Sequence, residues 1–406
     1  YLEINVKALQ AGYQIAQARY AHQRGSYRDW MLVSGSHAVA FGAAAAGLRF
    51  YSAYPMSPST SIMETLAALG DEAGLVVEHA EDEIAAINMA IGASFAGARA
   101  MTGTSGGGFS LMVEALGLSG MAEIPLVVID VQRPGPVTGL PTRTEQSDLR
   151  FVISASQGEF PRMVIALRNQ ADAFYQTMRA FHLAEAYQIP VILLSDQYLG
   201  DATATVEPFD PNRIQTAQPA AGYDENGEYL RYRYTESGIS PRLIPGTTKH
   251  LVTADSDEHD ERGWITESAE VRTRMMDKRM KKLDGIRDEL QEPEFIGEED
   301  FDTLLLGWGS TWGPITEAIR LLNDAGGRRY AALVFGDVYP LPQKRLLEHA
   351  PKAKRIINVE QNATGQLAGL IREQTGIACT GSVLKYDGRQ ISAEEIVSSV
   401  QKEELK

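Results

Sequence analysis

Three stretches of this sequence carry side chains whose types and spacing could do chemistry. The first, Tyr54-Pro55-Met56-Ser57-Pro58-Ser59-Thr60, sets three hydroxyls on a turn stiffened by two prolines, which fix backbone angles and remove amide donors. Hydroxyls held that rigidly suit a carboxylate or the amine of a heterocycle. Ser59 and Thr60 have a plainer reading, as caps of a helix that starts near Ser61. The second, Glu78-His79-Ala80-Glu81-Asp82-Glu83, delivers acids to the first turn of a helix made largely of small and apolar residues. The helix macrodipole alone favours acids there. The third runs from Asp130 through Arg133 and Arg143 to Asp148, after an apolar strand. Arginine grips a carboxylate through two parallel N–H bonds, so both arginines are candidates for an anionic substrate. For Arg143 a surface ion pair with Glu145 or Asp148 fits equally well.

A fourth stretch, Thr102-Gly103-Thr104-Ser105-Gly106-Gly107-Gly108, admits three readings. It could cradle a phosphate before a helix. It satisfies the G-x-S-x-G nucleophile pattern, with Ser105 as the nucleophile of a serine hydrolase. It could simply be a tight turn that needs positive backbone angles. The hydrolase reading needs a late histidine. His349 is the one available, and Leu346-Leu347-Glu348-His349-Ala350 reads as an exposed helix end. Asp257-Glu258-His259-Asp260-Glu261 has metal-ligand residue types, but contiguous ligands in a loop read as a solvated turn.

The elements that must position these residues are legible from periodicity. From Trp30 onward, short apolar runs (Met31–Val33, Leu75–His79, Ala100–Thr102, Leu126–Asp130, Arg162–Ile165, Val191–Leu194) alternate with helical patterns (Ala38–Gly47, Ser61–Leu69, Glu83–Ala98, Phe109–Met121, Gln170–Tyr187). That alternation predicts a parallel sheet covered by helices, with its site at the carboxyl ends of the strands. Residues 208–265 have little periodicity and read as an irregular excursion. A charged helix follows, with Met276, Met280, Leu283, Ile286 and Leu290 on one apolar face. A second alternating unit fills 301–406, with strands Thr303–Leu306, Tyr330–Phe335 and Arg355–Val359. Gly336-Asp337-Val338-Tyr339-Pro340 reads as a turn at its functional edge, and Leu2–Tyr20 as a leading helix.

Composition narrows the function. At 406 residues the chain can hold two or three domains, and its net charge of −15 argues against nucleic acid and anionic membrane surfaces. The lone Cys379 excludes an internal disulfide framework and any four-cysteine cluster within these residues, and fits a reducing cytoplasm. No apolar run is long enough to span a bilayer, and nothing reads as a signal peptide.

At their separation, Tyr54–Thr60 and Glu78–Glu83 resemble the pyrimidine-binding domain of thiamine-diphosphate enzymes. Among these the chain is most similar to the alpha subunit of the 2-oxoacid:ferredoxin oxidoreductases, and within them to 2-oxoglutarate:ferredoxin oxidoreductase. The resemblance implies an α/β fold: a pyrimidine-binding domain over 31–207, the excursion and charged helix over 208–300, and a transketolase C-terminal-like domain over 301–406. Residues 1–30 would then be a connector helix, the tail of a fused gamma domain upstream of Tyr1. The cofactor implied is thiamine diphosphate, with an acid bonded to N1′ of its aminopyrimidine to favour the imino tautomer. Glu83, with Ala85 and Ala86 after it, matches that acid best and Glu81 next. Pro55, Ser57 and Ser105 would lie by the cofactor, Ser57 and Arg133 by the substrate carboxylate, and Arg143 by a second carboxylate. The family often has proline where Gly107 stands.

The Gly-Asp-Gly segment of a magnesium–diphosphate site is missing, so the resemblance implies a beta subunit that brings Mg2+ and a [4Fe-4S] cluster. It further implies coenzyme A as co-substrate, ferredoxin as acceptor and a dimer of alpha–beta units in the cytoplasm. The expected reaction is oxidative decarboxylation of 2-oxoglutarate to succinyl-CoA. Pyruvate or branched-chain 2-oxoacids are alternative substrates, and a non-catalytic scaffold of such a complex is the alternative of another class.

Overall fold

The computed structural model describes residues 1–17, 25–220, 227–327 and 329–404. Its strands are β1 (Met31–Ser34), β2 (Phe50–Ala53), β3 (Val76–His79), β4 (Ala100–Thr104), β5 (Leu126–Gln132), β6 (Met163–Ala166), β7 (Pro190–Asp196) and β8 (Thr203–Val206). The later part of the chain adds β9 (Glu294–Gly297), β10 (Thr303–Trp308), β11 (Tyr330–Phe335), β12 (Asp337–Tyr339), β13 (Arg355–Glu360) and β14 (Gly381–Leu384). The helices are α1 (Leu2–Ile15), α2 (Gly35–Ala45), α3 (Thr60–Ala73), α4 (Glu83–Phe95), α5 (Gly106–Met121), α6 (Leu149–Ser154), α7 (Gln170–Tyr187) and α8 (Gln197–Asp201). They continue with α9 (Ala269–Asp288), α10 (Trp312–Asp324), α11 (Lys344–His349), α12 (Gln366–Thr375) and α13 (Ala393–Glu404).

Seven strands form one sheet in the order β12-β6-β7-β5-β4-β2-β3, parallel except at β12. β5 and β7 are buried at every position, which explains their unbroken apolar runs: both faces carry helices. Period-two alternation sends Val128, Val164 and Ile192 into one core and Val127, Ile165 and Val191 into the other. The first of these cores runs on into a five-stranded sheet, β14-β13-β10-β11-β9, through Leu304, Leu306 and Leu333. The α/β expectation holds, with helices on both faces of the larger sheet.

Several local readings need correction. β1 does not join the parallel sheet; it pairs antiparallel with β8 in a two-stranded ribbon. The segment around Asp337 is a strand, β12, lent by the second unit to the edge of the first unit's sheet. There Asp337 accepts both prongs of Arg179 (2.6 and 2.8 Å) and the amide of Gln291 (2.7 Å). The leading helix ends at Ile15; its expected continuation to Tyr20 lies partly outside the described residues.

The charged helix α9 packs through more than its apolar face, from which Ile286 is buried in the core and Leu283 packs against it. Besides Met275 and Ile286 it buries Lys278, Arg279 and Lys282. Lys278 and Lys282 each reach the wholly buried Glu123 at 2.5 Å, and Arg279 meets Glu258 at 2.8 Å. Paired cations are what make such burial tolerable. Asp257–Glu261 is therefore no solvated turn: His259 is fully buried against the ring of Tyr232, and Glu258 holds Arg272 and Arg279. The irregular excursion lies on the first unit through Arg231, bonded to Gln188 and the Glu123 carbonyl, and Arg242, bonded to Glu185 and the Ser94 carbonyl.

Candidate functional site

β2, β3, β4 and β5 run parallel, so the loops after them leave one edge of the sheet. All the sequence-predicted site residues sit on these four loops or at the helix starts they feed. This is where an open parallel sheet binds ligands, since nothing but loops crosses there.

Glu83 is the first residue of α4, and Asp82 does the capping: its carboxylate accepts the Ala85 amide at 2.7 Å. Glu83 is thereby freed from local duty. It is only 4% exposed, and its Oε1 has no hydrogen-bond partner. Glu81 is exposed. A buried acceptor left without a donor costs about 1–3 kcal/mol, so a fold that keeps one holds it for something else. The neighbouring helix start is cut to fit it. A methyl on Gly108 would stand 2.6 Å from Glu83 Oε1 and 2.1 Å from Thr104 Oγ1, so only glycine lets α5 approach this closely.

The Gly-rich stretch is not a turn of positive angles: β4 runs through Thr104 and α5 begins at Gly106, so Ser105 alone joins them. Gly103, Gly106, Gly107 and Gly108 have no positive φ; three of them are glycine because neighbours press on them. A methyl on Gly106 would lie 2.5 Å from Asp148 Oδ2, and one on Gly103 would lie 2.3 Å from the Tyr51 hydroxyl. Ser105 is wholly buried at the start of α5, and its hydroxyl has no partner. His349 is buried, not exposed, and is held by the Arg345 carbonyl and Glu299. No hydrogen bond joins a described histidine to Ser105, so no Ser–His hydrolase pair forms.

The Tyr54–Thr60 turn keeps Ser57 exposed and Pro55 half-buried. Ser59 does not cap α3; its hydroxyl folds back to the Met56 carbonyl at 2.7 Å and tightens the turn. Arg133 ties this turn to the loop after β5 by donating to the Ser57 carbonyl at 2.6 Å, although 76 residues separate the two in sequence. That bond uses one guanidinium donor. Its Nε is buried without a partner, and no described carboxylate pairs with it. Arg133, Ser105, Gly106, Gly107, Asp148 and Phe151 line a cleft of about 200 Å³. Arg143 is exposed and does not line it. Nor does Arg143 pair with Glu145 or Asp148 among the described residues; it packs beside Gly388, where a methyl would lie 3.2 Å from its Cβ.

Two features of the site went unread in the sequence. Gln146 fastens the arginine loop to the second unit with four bonds: its amide to the Gln361 carbonyl (2.7 Å), its Nε2 to the Trp308 carbonyl (2.8 Å), its Oε1 from the Gln361 amide (3.3 Å) and its carbonyl from Asn362 (3.1 Å). Glu360, beside them, accepts from Trp308, Asn358, Asn362, Leu367 and Ala368 and is fully used in holding that edge. The other feature is a carboxyl pair under the cleft. Asp130, at the end of β5, is wholly buried, and no protein donor reaches either oxygen. Burial and the neighbouring Asp148 push its pKa well up. Burial also pushes Asp148 up, to about 6, against the pull of a hydrogen bond from Asp130 and the charge of Arg133.

One edge of the parallel sheet thus brings together an acid buried without a partner at a helix start and an arginine whose Nε is buried and unbonded. The chain belongs to the family described as pyruvate flavodoxin/ferredoxin oxidoreductase, thiamine diphosphate-binding, which it matches over residues 41–278. It is 38% identical over 417 residues to subunit alpha of 2-oxoacid:ferredoxin oxidoreductase 1 of Sulfurisphaera tokodaii, covering 98% of this chain and 65% of that one. The 2-oxoglutarate synthase subunit KorA of Methanothermobacter marburgensis is 30% identical, over 91% of this chain and 97% of that one. The solved 2-oxoglutarate:ferredoxin oxidoreductase of Magnetococcus marinus, with 2-oxoglutarate, coenzyme A and succinyl-CoA bound, matches with a TM-score of 0.90 and 35% identity. That match covers 99% of this chain and 71% of the other. The chain thus spans about two thirds or less of several of these longer relatives. No described helix is long and apolar enough to cross a membrane.

Proposed function

We propose that the chain is the alpha part of a 2-oxoacid:ferredoxin oxidoreductase that oxidatively decarboxylates 2-oxoglutarate to succinyl-CoA. The observation that carries this reading is the Glu83 carboxyl, buried without a partner beside Gly108, one loop away from an unpaired Arg133 tied to the Ser57 turn. The KorA relative and the Magnetococcus marinus enzyme, both named for 2-oxoglutarate, support the choice of substrate.

The residues present fit thiamine diphosphate. When bound, it would supply the nucleophilic carbon and the electron sink that decarboxylation of a 2-oxoacid requires. Glu83 Oε1 would hold the proton shared with the aminopyrimidine N1′, the one contact its burial leaves open. Ser105 and Pro55 would wall the ring. Arg133, fixed by the Ser57 carbonyl, would bind the carboxylate next to the carbonyl with its remaining donors, and Ser57 would lie beside it. Arg143, on the outer limb of the same loop, would meet the distal carboxylate when the loop is covered. Magnesium, the diphosphate pocket and a [4Fe-4S] cluster would come from a beta subunit, with ferredoxin as acceptor and coenzyme A as co-substrate. The working assembly would be a dimer of alpha–beta units in the cytoplasm. Residues 31–207 would form the pyrimidine-binding domain, 208–300 the excursion and charged helix, and 301–406 the transketolase C-terminal-like domain. Co-expression with a beta-type partner tests the reading: a brown complex that reduces ferredoxin with 2-oxoglutarate and coenzyme A is expected. A chain that purifies alone and colourless, and gains no activity from any such partner, would refute it.

A further inference from the structure

We propose that Asp130 and Asp148 share one proton beneath the arginine cleft, and that Asp148 sets how strongly Arg133 attracts an anionic substrate. The inference rests on the functional reading above for its substrate, but not for the proton itself.

Asp130 sits at the carboxyl end of β5 with no donor within reach of either oxygen, and its hydrogen-bonding neighbour is a second acid, Asp148. Two carboxylates in that arrangement cannot both stay ionised, because neither offers the other a donor and burial removes the water that would separate them. One proton between them supplies the missing hydrogen bond. Asp130, the deeper of the two, carries it and donates to Asp148. Asp148 in turn faces the cleft. It touches the opening of α5, where Gly106 has no side chain to keep it away, and its own amide is held by Gln132 Oε1 at 3.0 Å. The charged groups that face it are Asp130 from β5, Arg133 across the cleft and Glu145 on its own loop. α5 presents Ser105, Gly106 and the positive end of its dipole, and α6 presents Leu149 and Phe151.

The charge count gives the consequence. With both acids ionised, the pair and Arg133 sum to −1 and would repel a 2-oxoacid. With one shared proton the sum is 0, and with a proton on each it is +1. Burial pushes the Asp148 carboxyl up, to about 6, so acidification through that region adds one positive charge beside the binding arginine. The pair keeps the arginine from a full ion pair with its own protein while preventing the cleft from turning anionic.

The test uses the assembled alpha–beta complex as wild type, Asp130→Asn and Asp148→Asn, with Asp148→Ser where the amide disturbs the loop. Infrared spectra near neutral pH should show the carbonyl band of a protonated carboxylic acid, shifted in deuterium oxide and lost in Asp130→Asn. Absence of that band from the wild type overturns the shared proton, whatever the enzyme does with substrate. The Michaelis constant for 2-oxoglutarate should fall on the order of tenfold between about pH 7.5 and about pH 5.5, the effect of one added charge near a partly exposed arginine. In Asp148→Asn it should be low and flat across that range. In Asp130→Asn, where Asp148 loses its acidic neighbour and stays ionised, it should remain high. An unchanged pH profile in Asp148→Asn overturns the tuning. A complex inactive on every 2-oxoacid overturns the functional reading and leaves the infrared result to decide the pair by itself.

Discussion

Replacing Glu83 by glutamine separates catalysis from folding. The change is nearly isosteric and keeps an oxygen where Oε1 stands, so the contact with Gly108 survives. No hydrogen bond to Oε1 is broken, because that atom has none. An oxygen with the same unmet demand stays in place, so the free alpha chain should be about as stable as wild type. Turnover should fall. An amide cannot take the proton shared with N1′, and a lost general acid–base contact is worth about a hundred- to ten-thousand-fold, or about 3–5 kcal/mol of barrier. The assay is 2-oxoglutarate-dependent ferredoxin reduction by the reconstituted complex. Size-exclusion chromatography and thiamine quantification alongside it show whether assembly and occupancy are kept. Full turnover in the variant would remove Glu83 from the chemistry and move attention to the exposed Glu81 or to a scaffold role. A fall in thermal stability of the free chain would show that the carboxyl is used in folding.

Other perturbations probe the neighbours. Gly108→Ala drives a methyl to 2.1 Å from Thr104 Oγ1 and 2.6 Å from Glu83 Oε1, so denaturant titration should show a loss of about 1–3 kcal/mol, with weaker cofactor retention. Arg133→Ala should raise the Michaelis constant for every 2-oxoacid by about ten- to a hundredfold, while Arg143→Ala should harm 2-oxoglutarate more than pyruvate. Equal losses on both substrates would show that Arg143 reads no distal carboxylate. Glu123→Gln strands Lys278 and Lys282 in the interior and should cost about 3–5 kcal/mol near neutral pH in a urea melt. Burial, opposed by Glu123, lowers the folded pKa of Lys282 to about 7. Its unfolded value is about 10.4. Between those values the unfolded chain holds more protons, so stability from this group rises with pH, and Lys282→Met should flatten that rise.

What the sequence disclosed was whatever is written in local order. β5 and β7 read as buried strands because both faces are covered, and α4 reads as a helix because Asp82 caps it and its residues are small. The three chemical stretches stood out because each follows a strand and carries rare combinations of proline, glycine and charge. β1 misled because an antiparallel ribbon and a parallel edge strand share the same four-residue apolar pattern; its partner β8 lies about 170 positions away. α9 misled more deeply. Periodicity finds apolar faces, but this helix turns lysines inward toward an acid that stands alone on a distant turn. Nothing in the local pattern of either segment announces the other.

The same limit governs the site. Gly108 could be read as a turn residue, yet its reason is Glu83, delivered from another strand. Arg133 could be read as an anion grip, yet what aims it is the carbonyl of Ser57, and what holds its loop is Gln146, clasped by Gln361 and Asn362 of the second sheet. The residue types that do chemistry are therefore legible one loop at a time, while the glycine, the amide clamp and the buried acid pair that position them exist only once four strand ends are brought side by side. Since the second unit supplies the clamp, loosening Gln146 should disturb the arginine loop more than the Glu83 end of the site. Gln146→Leu is expected to raise the Michaelis constant for 2-oxoglutarate by more than it lowers turnover, and thiamine occupancy should stay at the wild-type level. Loss of occupancy in step with substrate affinity would show instead that the two ends of the site are one rigid piece.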